Sequence, residues 1–336
     1  MASISKFLLL LLCSYLTLVA HAADDRRHKV LSVGSLKSAA TCSEAKVTPS
    51  SSGGVTVPLH HRHGPCSAAP SKKMPTVEER LQRDQLRAAY IKRKFSGTKG
   101  GDVEQSDAGH LPEHVGPVRV RRLQRPNRRA HGARRRRAVS RVSDGGDLWQ
   151  GLLVLPPADS GFLTLEAASS GFVKTPMLRS TQIPTYYGVL LEAIRVGGQQ
   201  LNIPTSVFSA GSVMDSGTII TTLPPTAYSA LSSAFKAGMK QYPPAQPSGI
   251  LDTCFDFSGQ SSVSIPTVAL VFSGGAVVDL ASDGIMLQTS SSILCLAFAA
   301  NSDDSSLGII GNVQQRTFEV LYDVGGGAVG FRAGAC

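Results

Sequence analysis

The apolar pattern divides the chain into five stretches, two of them without a steady period. An apolar run from Phe7 to about Ala20 follows Lys6 and ends in Ala20-His21-Ala22. A short charged start, one apolar run and a small-x-small site predict a secretory signal peptide over 1–22. The run is short of the ~20 residues that a bilayer-spanning helix needs, and no later stretch is apolar enough to span. Residues 23–75 are rich in Ser, Lys, His and Pro with little apolar period, which predicts a flexible segment. From Thr76 the texture changes. Thr76 and Glu79 form a capping box, and Val77, Leu81, Ala88, Ile91 and Phe95 recur at near-helical spacing among Arg and Lys. They predict a basic amphipathic helix over about 76–95, either a solvated surface helix or a pro-segment covering an acidic cleft.

Residues 96–150 hold no steady period of 2 or 3.6, and 107–151 read as an irregular, disordered insert. From about Leu152 to Cys336, short apolar runs alternate with turn residues. Phe162-Leu163-Thr164-Leu165, Tyr187 to Val196, Val213-Met214, Val268 to Phe272 and Phe318 to Tyr322 predict short strands of a mainly β domain. One helix interrupts them, opened by Pro224-Pro225 and marked on its apolar side by Tyr228, Leu231, Phe235 and Met239.

Charge adds a detail that the period does not show. The chain has 34 Lys+Arg against 24 Asp+Glu, a net charge of +10. Eleven arginines lie between Arg119 and Arg141 with no Lys, Asp or Glu among them; without that window 23 basic residues face 24 acidic ones. The protein is therefore a near-neutral chain with one arginine block, not a cationic coat. The block predicts at most weak, non-specific and salt-dependent anion binding, since no aromatics interleave with it. Apolar content of 42% argues for a folded core over wholesale disorder.

A signal peptide implies an oxidising compartment. Beyond Cys13 the cysteines are Cys42, Cys66, Cys254, Cys295 and Cys336, an odd number, so at least one lacks an intrachain partner. Cys254 and Cys295 lie in the well-patterned part and are the first candidate pair. All eight histidines lie at or before His131. A His-dependent nucleophile or a His-ligated metal is thus excluded from the β domain. His60-His61-Arg62-His63 reads as a solvated cationic patch, and no nucleotide loop is present. Gly325-Gly326-Gly327 suits a hairpin turn. No cofactor and no metal are expected.

The chemical signal is Ser212-Val213-Met214-Asp215-Ser216-Gly217-Thr218-Ile219-Ile220. A strand runs into Asp-Ser-Gly-Thr and returns through an apolar run to the Pro-Pro helix. Such a turn holds a carboxylate, Gly217 allows close approach, and the Ser216 and Thr218 hydroxyls can donate to the carboxylate. Two such turns facing each other would make a dyad that shares one proton and activates water.

With Tyr186-Tyr187-Gly188-Val189, Val196-Gly197-Gly198, Leu251-Asp252-Thr253-Cys254-Phe255-Asp256-Phe257, Cys295-Leu296-Ala297-Phe298, Ile309-Ile310-Gly311 and Val329-Gly330-Phe331, this chain resembles the pepsin-like aspartic peptidases. The likeness is to their plant secreted branch, nepenthesin-like and chloroplast-nucleoid-protease-like. Leu59-His60-His61-Arg62-His63-Gly64-Pro65-Cys66 and the basic helix resemble that branch's propeptide. The resemblance implies a propeptide-like segment over 23–106 and a second β lobe over 152–336. It also implies a catalytic Asp215, a Cys254–Cys295 disulfide, an Ile309-Ile310 strand beside Asp215, and a polypeptide substrate. The destination it implies is the secretory pathway, extracellular or vacuolar, with the plastid as the alternative.

The family's partner motif, Asp-Thr-Gly-Ser, and its flap tyrosine do not occur in 96–150. Asp159-Ser160-Gly161 follows Pro156-Pro157-Ala158, not a strand, and reads as a turn. Val154 stands where the family often has Cys, which would leave Cys336 as an odd thiol. An arginine-rich stretch of this composition is what a GC-rich coding sequence gives out of frame, so an exon loss or frameshift is the working explanation. With one carboxylate the chain is expected to be inactive as a monomer, and a homodimer through the lobe face that a first lobe would cover is one expected partner. The other reading is a non-catalytic binding protein like the plant xylanase inhibitors built on the same scaffold.

Overall fold

The computed structural model describes residues 27–32, 56–60, 75–96, 150–154, 160–165, 170–180 and 185–333. The predicted signal peptide, the arginine window, Asp159 and the cysteines other than Cys254 and Cys295 lie outside these. The described chain is mainly β, as the short apolar runs predict, and no described helix is long and apolar enough to cross a membrane.

One six-stranded sheet positions the candidate site. Its order is Phe298–Ala300, Thr221–Leu223, Gly308–Ile310, Ser212–Met214, Tyr187–Val189 and Leu178–Arg179. At its centre Ser212–Met214 runs parallel to Gly308–Ile310, pairing Ser212 with Gly308 and Met214 with Ile310. All six residues of this pair are buried, so both strands read as unbroken apolar runs, not as alternation. The two strands end side by side, one at Asp215 and the other at Gly311.

A second six-stranded sheet carries Thr56–His60, Ser160–Leu165, Gln150–Val154, Phe318–Asp323, Ala328–Ala333 and Val173–Pro176 in that order. Its inner face packs Phe272 on Phe331 at 4.9 Å and sets Phe318 edge-on to Phe331 at 5.5 Å. The Gly325-Gly326-Gly327 turn joins Phe318–Asp323 to Ala328–Ala333 as a hairpin, as expected. Ser160 and Gly161 are already in a strand, opposite His60 and Leu59, which corrects the turn expected there.

Two helices matter for the site. The first, α1 (Val77–Phe95), starts where the sequence places it, with Thr76 Oγ1 accepting from Glu79 N and the Glu79 carboxylate accepting from Thr76 N. The second, α2 (Pro225–Ala237), buries Ala227, Tyr228, Leu231 and Phe235. Its first turn is held by Asp304, which accepts from Thr226 N at 2.9 Å. It stops at Gly238, where a side chain would come within 2.5 Å of Pro266.

Two expectations change. The run Tyr187 to Val196 is two strands, Tyr187–Val189 and Leu191–Val196, in different sheets. Nor is the stretch 23–75 without structure: His28–Ser32 pairs with Ser262–Pro266, and Thr56–His60 with Ser160–Leu165. Leu31 enters the main core at 3% exposure while Val30 stays outside. Five-residue strands of this kind depend on an edge supplied from more than 100 residues away, so their local pattern carries little signal.

Candidate active site

Asp215 sits at the end of Ser212–Met214 with 6% of its surface exposed. Its backbone N–H donates to Ile310 O at 3.1 Å, and its carbonyl accepts from Thr218 N at 3.2 Å, which closes the turn. Thr218 Oγ1 donates to Asp215 Oδ2 at 2.5 Å. Of the two hydroxyls expected to support the carboxylate, Thr218 is thus buried against it. Ser216 is exposed and contributes its carbonyl, which accepts from Asn312 Nδ2 at 3.2 Å.

The neighbouring turn locks this one in place. Asn312 N donates to Thr218 O at 2.7 Å, and Val313 N to Ile219 O at 3.1 Å. Gly311 must be glycine here, because a Cβ would lie 2.6 Å from Ile219 O. Beneath the turns, Thr221 Oγ1 accepts from Gly311 N at 2.9 Å and donates to Gln314 Oε1 at 2.5 Å. Gln314 Nε2 then donates to Ala297 O and Gly284 O, and Gln315 Nε2 to Ile310 O. Thr221, Gln314 and Gln315 are fully buried. Such a network ties the strand ends to the layer below and fixes where the carboxylate points.

Helix α1 lies over this face, so it is not a solvated surface helix. Leu81 packs into a cluster with Ile220, Leu251, Cys254, Cys295, Ala297, Ala299 and Val313. Ala88 and Ile91 pack on Val213 and Ile309 of the central strands, and Phe95 meets Tyr186 edge-on at 5.7 Å. Between these apolar contacts stands Arg87. Its Nε donates to Asp215 Oδ2 and its Nη2 to Asp215 Oδ1, each at 2.7 Å. Gly217 leaves room for the guanidinium, since a Cβ there would lie 2.6 Å from Arg87 Cζ. The hydrogen bonds to Asp215 raise the Arg87 pKa further above its ordinary value.

One turn earlier, Asp84 accepts from Ile219 N at 2.5 Å and Ile220 N at 3.0 Å. Burial pushes the Asp84 carboxyl up to about 6, against the downward pull of the two amides. Further along, Lys92 Nζ donates to Asn301 Oδ1 at 2.6 Å. Neither Asp84 nor Arg87 is among the residues that the sequence pattern singles out. A signal for Asp84 does exist: it occupies the place between Leu81 and Ala88 in an otherwise apolar stripe.

The expected Cys254–Cys295 disulfide is present and joins paired residues of Cys254–Asp256 and Ile293–Leu296. On the Asp215 side, α1 covers Val213 and Ile309 of the central strands. Among the described residues no group of His, Cys, Asp or Glu could hold a metal ion. The lobe's own turn supplies one carboxylate, Asp215, oriented by Thr218 and paired with the Arg87 guanidinium.

Similarity to known proteins lies in the C-terminal half of the chain. Residues 186–333 match the family model described as Xylanase inhibitor C-terminal. An Aspartyl protease family protein of Arabidopsis thaliana is 54% identical over 180 residues, which cover 53% of this chain and 38% of that protein. Aspartyl protease AED1 of the same plant is 42% identical over 179 residues, covering 53% and 38%. Aspartic proteinase nepenthesin-2 of Nepenthes gracilis is 36% identical over 185 residues, covering 52% and 42%. The chain thus spans roughly two fifths of the length of these relatives. Its C-terminal half, which holds the Asp215 turn, is similar to these aspartic proteases and has the character of a pepsin-like C-terminal lobe.

Proposed function

We propose that the chain is a self-capped half-site of an aspartic endopeptidase. Asp215 is the second-lobe member of a catalytic dyad, Thr218 orients it, and Ser216 and Gly217 shape its turn. The observation that carries this reading is the bidentate Arg87–Asp215 pair laid over the Asp-Ser-Gly-Thr turn, in the half of the chain that is similar to named proteases. In a complete dyad one carboxylate takes a proton from water while the other protonates the peptide carbonyl. A single carboxylate cannot do both, and one held by a guanidinium is not free to accept the proton. The chain alone therefore does not hydrolyse polypeptides. Gaining that activity takes a second carboxylate, from a first lobe or from a second Asp215 across a dimer axis, together with withdrawal of Arg87.

The test is cleavage of a denatured protein by the purified chain at acid pH. No cleavage is expected. Pepstatin-sensitive cleavage that disappears in Asp215→Ala would overturn the reading. A propeptide-like 23–106, a lobe over 152–336 and entry into the secretory pathway belong to the same proposal. N-terminal sequencing of the secreted protein, with a first residue at Ala23, is the expected check on the signal peptide.

The matched family description favours one alternative, a binding protein like the xylanase inhibitors. An inhibition assay against plant-cell-wall xylanases separates the two. Inhibition that survives Asp215→Ala would support the binding protein.

A further inference from the structure

A cleft of about 430 Å³ opens on the outer face of the four-stranded sheet formed by Ala276–Asp279, Val268–Phe272, Leu191–Val196 and Gln199–Gln200, and it shares no residue with the Asp215 site. Strand alternation builds it. Ile194, Leu270 and Val278 enter the main core, so their neighbours Arg195, Ala269 and Asp279 take the other face. The register sets these three side by side, Arg195 opposite Ala269 and Ala269 opposite Asp279. Ala269 is the floor, and its small side chain leaves a gap between a guanidinium and a carboxylate. Two strand spacings put the backbones of Arg195 and Asp279 about 10 Å apart. Among the described residues neither makes an ion pair. A second wall comes from the upstream strand His28–Ser32, which contributes His28 and Lys29. The Lys29 ammonium donates to Leu280 O, next to Asp279. Gly198 lines the rim, where a Cβ would meet nothing within 4 Å, so the mouth is open.

We propose that this cleft binds a carboxylated sugar, one hexuronate unit of an acidic saccharide. Two permanent cations, Lys29 and Arg195, and His28 line it against one carboxylate, so its walls favour an anion. The Arg195 guanidinium takes the sugar carboxylate through two parallel bonds, the geometry in which such a pair is strongest. Lys29 keeps two N–H donors beyond its bond to Leu280 O and adds a second positive contact. At the far wall Asp279 is an acceptor, and sugar hydroxyl groups are the donors that suit it. A pyranose ring with its carboxylate and hydroxyl groups fits the gap that Ala269 leaves. An apolar ligand finds no seat, because Ala269 carries the one apolar side chain in the lining. A bare inorganic anion would bring no donor to Asp279. Nothing in this site touches Asp215, and its use requires no peptide cleavage.

The test is titration of the purified full chain with D-galacturonate, followed by ligand-observed NMR, with D-galactose and acetate as controls. Galacturonate is expected to bind, and galactose, which lacks the carboxylate, at least about tenfold more weakly. Acetate lacks the hydroxyl groups that meet Asp279 and is also expected to bind more weakly. Arg195→Gln should weaken galacturonate at least about tenfold. Asp279→Ala should remove the preference for galacturonate over acetate. Ala269→Ile keeps every charge and fills the gap, so it should abolish sugar binding. Each variant is compared at an unchanged thermal unfolding midpoint. No binding to the wild type, equal binding of acetate and galacturonate, or unchanged binding in Arg195→Gln overturns the proposal; the last is what attraction to the arginine window 119–141 would give. Asp215→Ala is expected to bind galacturonate as the wild type does, so failure of the half-site reading leaves these outcomes in place. Loss of sugar binding in Asp215→Ala would put the ligand at the other site and also overturns the proposal.

Discussion

At the scale of single residues, the site is a contest for two carboxylates. Asp215 is satisfied from both sides, by Thr218 Oγ1 within the lobe and by Arg87 from α1. Asp84 is satisfied by two amides yet pays for burial, and its carboxyl rises to about 6. The sign follows from linkage. A carboxyl raised on docking binds more protons in the docked state between its ordinary value near 4 and about 6. Docking of α1 therefore tightens as pH falls through that window, and the Asp84 share of this gain is lost as pH rises through about 6. Arg87 and Asp215 are the charged groups that face it: the Asp215 charge pushes the Asp84 carboxyl up and Arg87 pulls it down, each less than burial does. Limited proteolysis of α1 is expected to be slower at pH 4.5 than at pH 7, with Asp84→Asn flattening the difference. A faster digestion at pH 4.5 in the wild type would refute the sign.

At the scale of elements, α1 shows how far local pattern reaches. Its start, its cap and its apolar positions are legible because they obey rules within one helix: a capping box and a 3.6-residue period. Its target is not legible, because Val213, Ile309 and Ile220 meet it across more than 120 residues of chain. Ile91 is fully buried on those strands. Truncation by Ile91→Ala is expected to weaken docking by about 2–4 kcal/mol. Hydrogen exchange should then show α1 opening locally while α2 and the central sheet keep their protection. If the whole lobe unfolds with α1, the helix is part of its core and the element-scale account fails. The Thr221–Gln314–Gln315 network escaped the pattern for a related reason. Buried polar side chains have no period, and only the convergence of three strands and a turn reveals what each one satisfies.

At the scale of the whole molecule, the lobe is held by a core of its own and by segments from far upstream. The Cys254–Cys295 bridge closes 41 residues of sequence and lies under Leu81, so it links the lobe's stability to the seat of α1. Loop-closure entropy puts its worth at about 2–4 kcal/mol. Replacing both cysteines with alanine should lower the midpoint of thermal unfolding by several degrees, in step with that cost. An unchanged midpoint would mean that the strand pair Cys254–Asp256 and Ile293–Leu296 needs no covalent tie. The covering of Val213 and Ile309 by α1 also bears on assembly. With that apolar face filled in cis, a second copy gains little by docking there, and the wild-type chain is expected to sediment as a monomer.

The sequence by itself determined the local parts of this protein. It marked the capped amphipathic helix, the Pro-Pro helix with its apolar stripe, the short buried strands and the Asp-Ser-Gly-Thr turn with its glycine. Each is settled within a few residues by periodicity, capping or turn sterics, so each could be read along the chain. Which side chain meets Asp215, where α1 lies, which amides Asp84 reaches and which edges His28–Ser32 and Thr56–His60 complete were decided only by the tertiary structure. These depend on pairings between residues up to more than two hundred positions apart, and the hydrophobic attraction that drives them is non-directional. A stripe tells that a face will be buried. Only the assembled neighbours tell against what, and here the neighbour of the basic helix is the Asp215 carboxylate.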